Sequence, residues 1–358
     1  MISKPFHPWA SQPNLLDGAR GIYFFRFIDY NLFKNFNVVE NYNGVKIFND
    51  IEIFKTFEIL SSYIIIYGVN FLNSPTLRLL NSSTLVAISG AFRLHIAFLF
   101  AGIEPKLMVY LAGGLIIYAT YTLDRTLDSK EDTINRSELA GSKKLIAIIA
   151  CIVAFLAGTL ILAQEKIYFA SPFPFIVGYL YSKGIKIGKH KLKLKGSMGG
   201  KNIVIALTWG GTIAIIVSKW AESILTIILI FLFYATKLFM NSILYDFKDI
   251  KGDMAAGIKT LPAFFGREEI RKVLMALSLL LHSVMITMLS IGFIRPEIVI
   301  LSYSFLISST CSSFYLQAFE AQMSGIRKYW REIMIDGEST IALVLRSIIN
   351  SLPSQSVL

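Results

Sequence analysis

Apolar runs long enough to cross a bilayer recur along most of this chain and constrain its fold more than any other feature. A membrane-spanning helix needs roughly 17 to 25 mostly apolar residues, because about 1.5 Å of rise per residue must cover roughly 30 Å of hydrocarbon. By that measure spans fall near 83–103, 107–123, 144–163, 167–181, 202–218, 222–245, 273–293 and 297–317. A ninth segment, 333–350, carries Asp336, Glu338 and Arg346, and it reads either as a true span or as a short, tilted or partly interfacial helix. Composition agrees: 54 % of the 358 residues are hydrophobic and 16 % charged, which lies outside the soluble globular range. The chain is therefore expected to be a polytopic membrane protein.

The formal net charge of +11 would point to nucleic acid in a soluble chain. In a membrane chain, basic residues instead mark cytoplasmic loops and meet anionic lipid headgroups, so nucleic acid is set aside as a partner. Links after the even-numbered spans are long and basic and those after the odd-numbered spans are short, so the former are expected on the cytoplasmic side. Between 182 and 201 stand seven lysines, with His190 and no acid. Each lysine there either sets topology alone or also meets an anionic ligand. Cys151 and Cys311 lie inside apolar segments and read as small core residues, not as a disulfide or a metal site. The N-terminus lacks the apolar core of a signal peptide, so insertion is expected to use an internal helix. Residues 1–80 read as a cytoplasmic or interfacial extension, in which the apolar run 63–72 is too short to span. Residues 81–352 form the membrane domain.

Two acidic clusters interrupt this apolar background. After the second span, Asp124, Asp128 and Asp132 stand at i, i+4 and i+8; after the sixth, Asp246, Asp249 and Asp253 stand at i, i+3 and i+7. On helices either set shares one face. Both fall at cytoplasmic helix ends by the topology above and can converge on one site. Like charges so arranged repel unless a cation lies between them. Mg²⁺ binds through one or two carboxylates plus the phosphates of a substrate, so two such clusters suggest a diphosphate clamp. Metal would neutralise diphosphate as it leaves, and nearby lysines would add positive charge where negative charge develops.

The second cluster belongs to a longer run, Asp246-x-x-Asp249-Ile250-x-Gly252-Asp253-x-Ala255-Ala256-Gly257-Ile258-Lys259-Thr260-Leu261-Pro262. This run resembles, nearly residue for residue, the second aspartate-rich signature of the UbiA superfamily of intramembrane prenyltransferases, and the likeness extends from about 83 to about 345. The first signature of that family, Asn-Asp-x-x-Asp-x-x-x-Asp, is matched in its second half by Asp124 and Asp128, with Thr120 and Tyr121 in place of Asn and Asp. Tyr181-Ser182-Lys183, the basic loop, and Gly200-Lys201-Asn202 are similar to the family's diphosphate-binding loop between its fourth and fifth helices.

The resemblance implies an all-α bundle of eight to nine transmembrane helices around a central cavity open to lipid. It also implies an isoprenoid diphosphate donor, a lipophilic acceptor and Mg²⁺. Asp124, Asp128, Asp246 and Asp249 are then the expected catalytic acids, and these four with Asp132 and Asp253 the metal ligands. Arg125, Tyr181, Lys183, Lys186, Lys201, Asn202 and Lys237 are the expected substrate contacts.

Arg93, His95 and Lys237 fall inside spans, where a basic group either faces a cavity or pairs internally. Tyr234, Lys237 and Asn241 share a helix face expected to point inward. The pairs Gly113-Gly114 and Gly210-Gly211 read as close helix packing. Four functions fit unequally. Prenyl transfer comes first, and a terpene cyclase on the same scaffold is kept open by the altered first motif. A degenerate lipid binder is weaker. An ion-coupled transporter is weaker still, because transporter sites lie near the midplane on broken helices.

Overall fold

Ser74 caps the first helix, α1 (Pro75–Ala101): its side chain accepts from the Leu77 N–H, and Pro75 sits in the first turn, where its missing donor costs nothing. At the far end Gly102 adopts a left-handed φ of 67° and donates to the Leu99 carbonyl, a conformation glycine reaches without a Cβ clash. The computed structural model describes residues 74–127, 139, 141–187, 190–192, 194, 199–315 and 333–352. All of these belong to one unit, Ile59–Leu358. After α1 come α2 (Leu107–Thr126), α3 (Lys144–Gln164) and α4 (Pro172–Ser182). A two-stranded hairpin, β1 (Ile185–Ile187) with β2 (His190–Leu192), leads to α5 (Gly200–Val217) and α6 (Ile224–Ala255). The chain ends with the single turn α7 (Leu261–Phe264), then α8 (Arg267–Ser290), α9 (Ile298–Thr310) running into a π turn at Cys311–Tyr315, and α10 (Glu338–Ser351). The expected N-terminal extension with its interfacial run, and both Asp128 and Asp132, lie outside the described residues.

Among the described residues six helices are long and apolar enough to cross a membrane: α1, α2, α3, α5, the 224–247 part of α6, and α8. Eight or nine full-length spans are therefore not reached among the described residues. The fourth, eighth and ninth expected segments form helices of 11, 13 and 14 residues, about 16 to 21 Å at 1.5 Å per residue. Pro172 and Pro174 confine the start of α4, since proline is tolerated only in a first turn. The first span also begins earlier than expected, at Pro75.

Neighbouring helices close a ring: α1 packs on α2, α2 on α4, then α5, α6, α8, α9 and α10 follow, and α10 returns to α1. α3 lies against α2 and α1 and presents Leu145, Ile149, Ile152, Val153, Leu156 and Leu160 outward, as a lipid-facing surface requires. Close approaches run through glycine. A Cβ at Gly158 would stand 3.0 Å from the Ala112 carbonyl oxygen, and one at Gly210 would stand 2.9 Å from the Ala235 nitrogen.

α10 closes the ring through charge. Glu338 pairs with Lys237 of α6 at 2.8 Å, and Arg346 holds Glu297 in a fork at 2.6 and 2.8 Å. Asp336, just before α10, accepts from the Tyr245 hydroxyl at 2.5 Å and lies 3.9 Å from the Arg93 guanidinium. The charges that blur 333–350 in the sequence are therefore directed into the bundle. His95 is likewise internal, with Nδ1 3.1 Å from the Tyr110 hydroxyl.

Candidate active site

The second acidic run occupies the last turns of α6. The helix continues unbroken past the expected end at 245 to Ala255, so Asp246, Asp249 and Asp253 stand on one continuous element. Seven residues apart, Asp246 and Asp253 share a face and are both buried, while Asp249 is half-buried. Gly257, at φ 74°, ends the helix: the Ile258 N–H donates to the Asp253 carbonyl at 2.8 Å and the Gly257 N–H to the Met254 carbonyl at 3.0 Å. Thus the Ala-Ala-Gly part of the motif is a helix stop, and Pro262 sits in the first turn of α7. The Gly199 N–H then donates to the Lys259 carbonyl at 3.3 Å, tying the chain that enters α5 to the chain that leaves α6.

That tie sets the first turn of α5 against the acids. The Lys201 ammonium lies 2.7 Å from Asp246 Oδ1 and 2.8 Å from Asp253 Oδ2. The Asn202 amide donates to Asp246 Oδ2 at 2.7 Å and to Ser242 Oγ at 3.0 Å. All four of Lys201, Asn202, Asp246 and Asp253 are buried. Among the described residues, both carboxylates meet this one ammonium. The contact at Asp246 Oδ1 is an ion contact without hydrogen-bond geometry, and Asn202 Oδ1 is buried with no hydrogen-bond partner among the described residues.

The first motif ends α2. The Ser182 hydroxyl, at the end of α4, donates to Asp124 Oδ1 at 2.5 Å and also lies 2.9 Å from the Gly178 carbonyl. Arg125 donates to Ser83 of α1 at 2.6 Å, and its guanidinium stands 5.4 Å from the centre of the Tyr121 ring. Tyr121 in turn stacks on Trp209 of α5, with centroids 5.6 Å apart and planes 12° from parallel. Thr120 commits its hydroxyl to the Ile116 carbonyl of its own helix at 2.9 Å. The two departures from the acidic pattern are thus a packed aromatic and a back-bonded hydroxyl.

The remaining expected contacts are dispersed. Tyr181 is half-buried beside Ser182, and Lys183 is exposed at the end of α4. Lys186 pairs with Lys191 across the hairpin, an element the lysine-rich sequence gave no sign of. Lys237 is buried in its pair with Glu338, and its ammonium also donates to Ser308 Oγ at 2.5 Å. It stands nine residues before Asp246, about 13 Å along the helix. Ser242 is a polar partner that sequence reasoning did not single out and for which it had no signal, whereas Ser182 stood in the Tyr181-Ser182-Lys183 motif and Asp336 among the charges of 333–350 without a role assigned to either. Among the described residues no three His, Cys, Asp or Glu side chains stand together closely enough to cage a metal.

The family model of the UbiA prenyltransferase family matches residues 82–323, more than half of the chain. The chain belongs to the UbiA prenyltransferase family. Solved structures share the fold of this UbiA-family chain at low identity. A UbiA homologue from Archaeoglobus fulgidus bound to GPP and Mg²⁺ has a TM-score of 0.53 and 17 % identity, covering 78 % of this chain and 100 % of its own. A digeranylgeranylglyceryl phosphate synthase has a TM-score of 0.50 and 14 % identity, covering 77 % and 98 %. No curated protein matches. With its six apolar helices, this UbiA-family member is a multi-pass integral membrane protein. The family match ends before Asp336 and α10.

Proposed function

We propose that this UbiA-family protein transfers an isoprenoid group from a polyprenyl diphosphate to a lipophilic acceptor within the membrane, with Mg²⁺. The observation that carries this reading is the buried meeting of Asp246 and Asp253 with Lys201 and Asn202. Further support comes from the Archaeoglobus homologue, solved with GPP and Mg²⁺ and also with DMAPP and Mg²⁺.

Under this reading Asp246, Asp249 and Asp253 on one side and Asp124, Asp128 and Asp132 on the other hold Mg²⁺, which when bound neutralises the diphosphate as it leaves. The residues present fit such an ion: Asp246 Oδ1 and Asn202 Oδ1 are buried oxygens with lone pairs to offer, the donor type a hard cation takes. Lys201 balances the acids in the absence of ligand and supplies positive charge to phosphate oxygens in its presence. Arg125, Tyr181, Lys183, Lys186 and Asn202 add donors, and Lys237 acts on the substrate site through α6. The C1–O bond of the donor breaks with its electron pair leaving on diphosphate, C1 forms its new bond to the electron-rich atom of the acceptor, and the proton displaced from the acceptor leaves on the diphosphate. The short helices α4, α9 and α10 complete eight or nine crossings around a cavity open to lipid, with the acids facing the cytoplasm.

One observation favours a second reading, an intramembrane terpene cyclase. Tyr121 and Trp209 present stacked aromatic faces where the family places an acid, and such faces stabilise cations. Labelled geranylgeranyl diphosphate and Mg²⁺, given to the purified protein with and without a panel of lipophilic acceptors, separates the two. Transfer gives diphosphate release that starts when acceptor is added. Cyclisation gives hydrocarbon product without it, and no Mg²⁺-dependent consumption of donor under any condition contradicts both.

A further inference from the structure

Arg93 is an arginine in the middle of a membrane helix whose guanidinium makes no hydrogen bond among the described residues. Among the described residues its charged partner is Asp336 at 3.9 Å, longer than a hydrogen bond. Neighbours along α1 are sealed, with Phe92, Leu94, His95 and Ile96 all buried, yet the Arg93 side chain is 14 % exposed and that of Asp336 28 %. A charge at this depth carries a cost of several kcal/mol unless it is compensated, so accessible donors left unmatched there point to a ligand.

The position of this pair is set from three sides. Ser89 donates to the Asp336 carbonyl at 2.6 Å, Tyr245 donates to Asp336 Oδ2 at 2.5 Å, and Tyr234 donates to the Arg93 carbonyl at 2.6 Å. Tyr245 immediately precedes Asp246 of the second motif. Arg93 lies ten residues beyond Ser83, the partner of Arg125, or about 15 Å further along α1. Its side chain leans back toward the aspartate end, as helical side chains do. The pair is thus tied through Tyr245 to the second motif and lies deeper along α1 than the level at which Arg125 of the first motif meets Ser83.

We propose that Arg93 and Asp336, with Tyr245 holding Asp336 in place, form a polar subsite for the hydroxyl group of a lipophilic acceptor. The inference rests on the prenyl-transfer reading and names the acceptor class. Arg93 offers donors and Asp336 Oδ1 offers an acceptor, side by side and close to neutral as a pair. A hydroxyl both donates and accepts and suits them, whereas a carboxylate is repelled by Asp336 and an amine by Arg93. Tyr245 is a positioning residue, acting through Asp336.

Binding of matched probes tests this apart from turnover. Farnesol, 1-naphthol and a dialkylglycerol, each with its methyl ether, are titrated against the full-length protein in detergent, and geranylgeranyl diphosphate with Mg²⁺ is titrated separately. At least one alcohol is expected to bind about tenfold or more tightly than its ether, as loss of a charge-assisted hydrogen bond implies. D336N is expected to lose that preference while retaining the diphosphate, D336E to keep part of it, and Y245F to weaken it without unfolding, whereas R93M, which removes the donor that alcohol and ether share, is expected to weaken both probes alike. A wild type with no alcohol preference, or a preference unchanged in D336N and Y245F, overturns the subsite. Failure of the wild type to bind the diphosphate while the alcohol preference persists overturns the prenyl-transfer reading instead.

Discussion

The Lys201 ammonium stands 2.7 Å from the Asp246 carboxylate inside the helix bundle, at a position the aspartate motif alone would leave to a cation. The same ammonium reaches Asp253, so one lysine from the first turn of α5 holds together two acids a full two turns apart on α6. It works as an internal counter-ion, letting the acids fold into a buried site before any ligand arrives.

Removing that counter-ion leaves two buried carboxylates without their ammonium. Breaking one side of a buried pair costs about 3 to 5 kcal/mol, so K201A is expected to unfold at a clearly lower temperature in detergent. Added Mg²⁺ is expected to restore part of the loss, because it supplies the missing positive charge. Thermal unfolding of both proteins with and without Mg²⁺ measures this; an unchanged midpoint in K201A removes the counter-ion role.

Lys237 and Glu338 join α6 to α10 by a buried ion pair at 2.8 Å. K237M is expected to lose about 3 to 5 kcal/mol of stability by leaving Glu338 unmatched, and K237M/E338Q to recover most of it. If the double variant is as unstable as the single one, the pair is not what holds α10.

Gly210 sets how closely α5 meets α6, since a Cβ there would stand 2.9 Å from the Ala235 backbone nitrogen. G210V is expected to cost about 1 to 3 kcal/mol by overpacking and to lower diphosphate release more than tenfold by parting Asn202 from Asp246. G211A, whose Cβ meets only the Phe173 ring at 3.4 Å, is expected to be near neutral in both. Equal behaviour of the two variants in unfolding and release assays would contradict this role.

The apolar runs made six helices legible, because a lipid-facing helix such as α3 needs apolar residues on nearly every side. α10 was ambiguous for a physical reason. Asp336, Glu338 and Arg346 look interfacial when read in isolation, and their partners Arg93, Lys237 and Glu297 come from distant parts of the chain. The shortness of α4 was written in Pro172 and Pro174 but masked by the apolar residues around them. At the candidate site the acids and Lys201 were visible as residue types at helix ends. That Lys201 would meet Asp246 and Asp253 was not, since it depends on how α5 packs on α6 and on the Gly199 to Lys259 hydrogen bond. The place of Tyr121 was visible only as a departure from an acidic pattern; its stacking on Trp209 needed the fold.

The most direct measurement is Mg²⁺-dependent diphosphate release from geranylgeranyl diphosphate, in the presence of acceptor, by wild type, D249A and D124A that remain folded in detergent. Asp249 is the useful member of its motif, because the Lys201 contacts run to Asp246 and Asp253. Release is expected in the wild type and a loss of at least about a hundredfold in each variant, as removal of an electrostatic group at a developing charge produces. Wild-type release in both folded variants would contradict the diphosphate clamp.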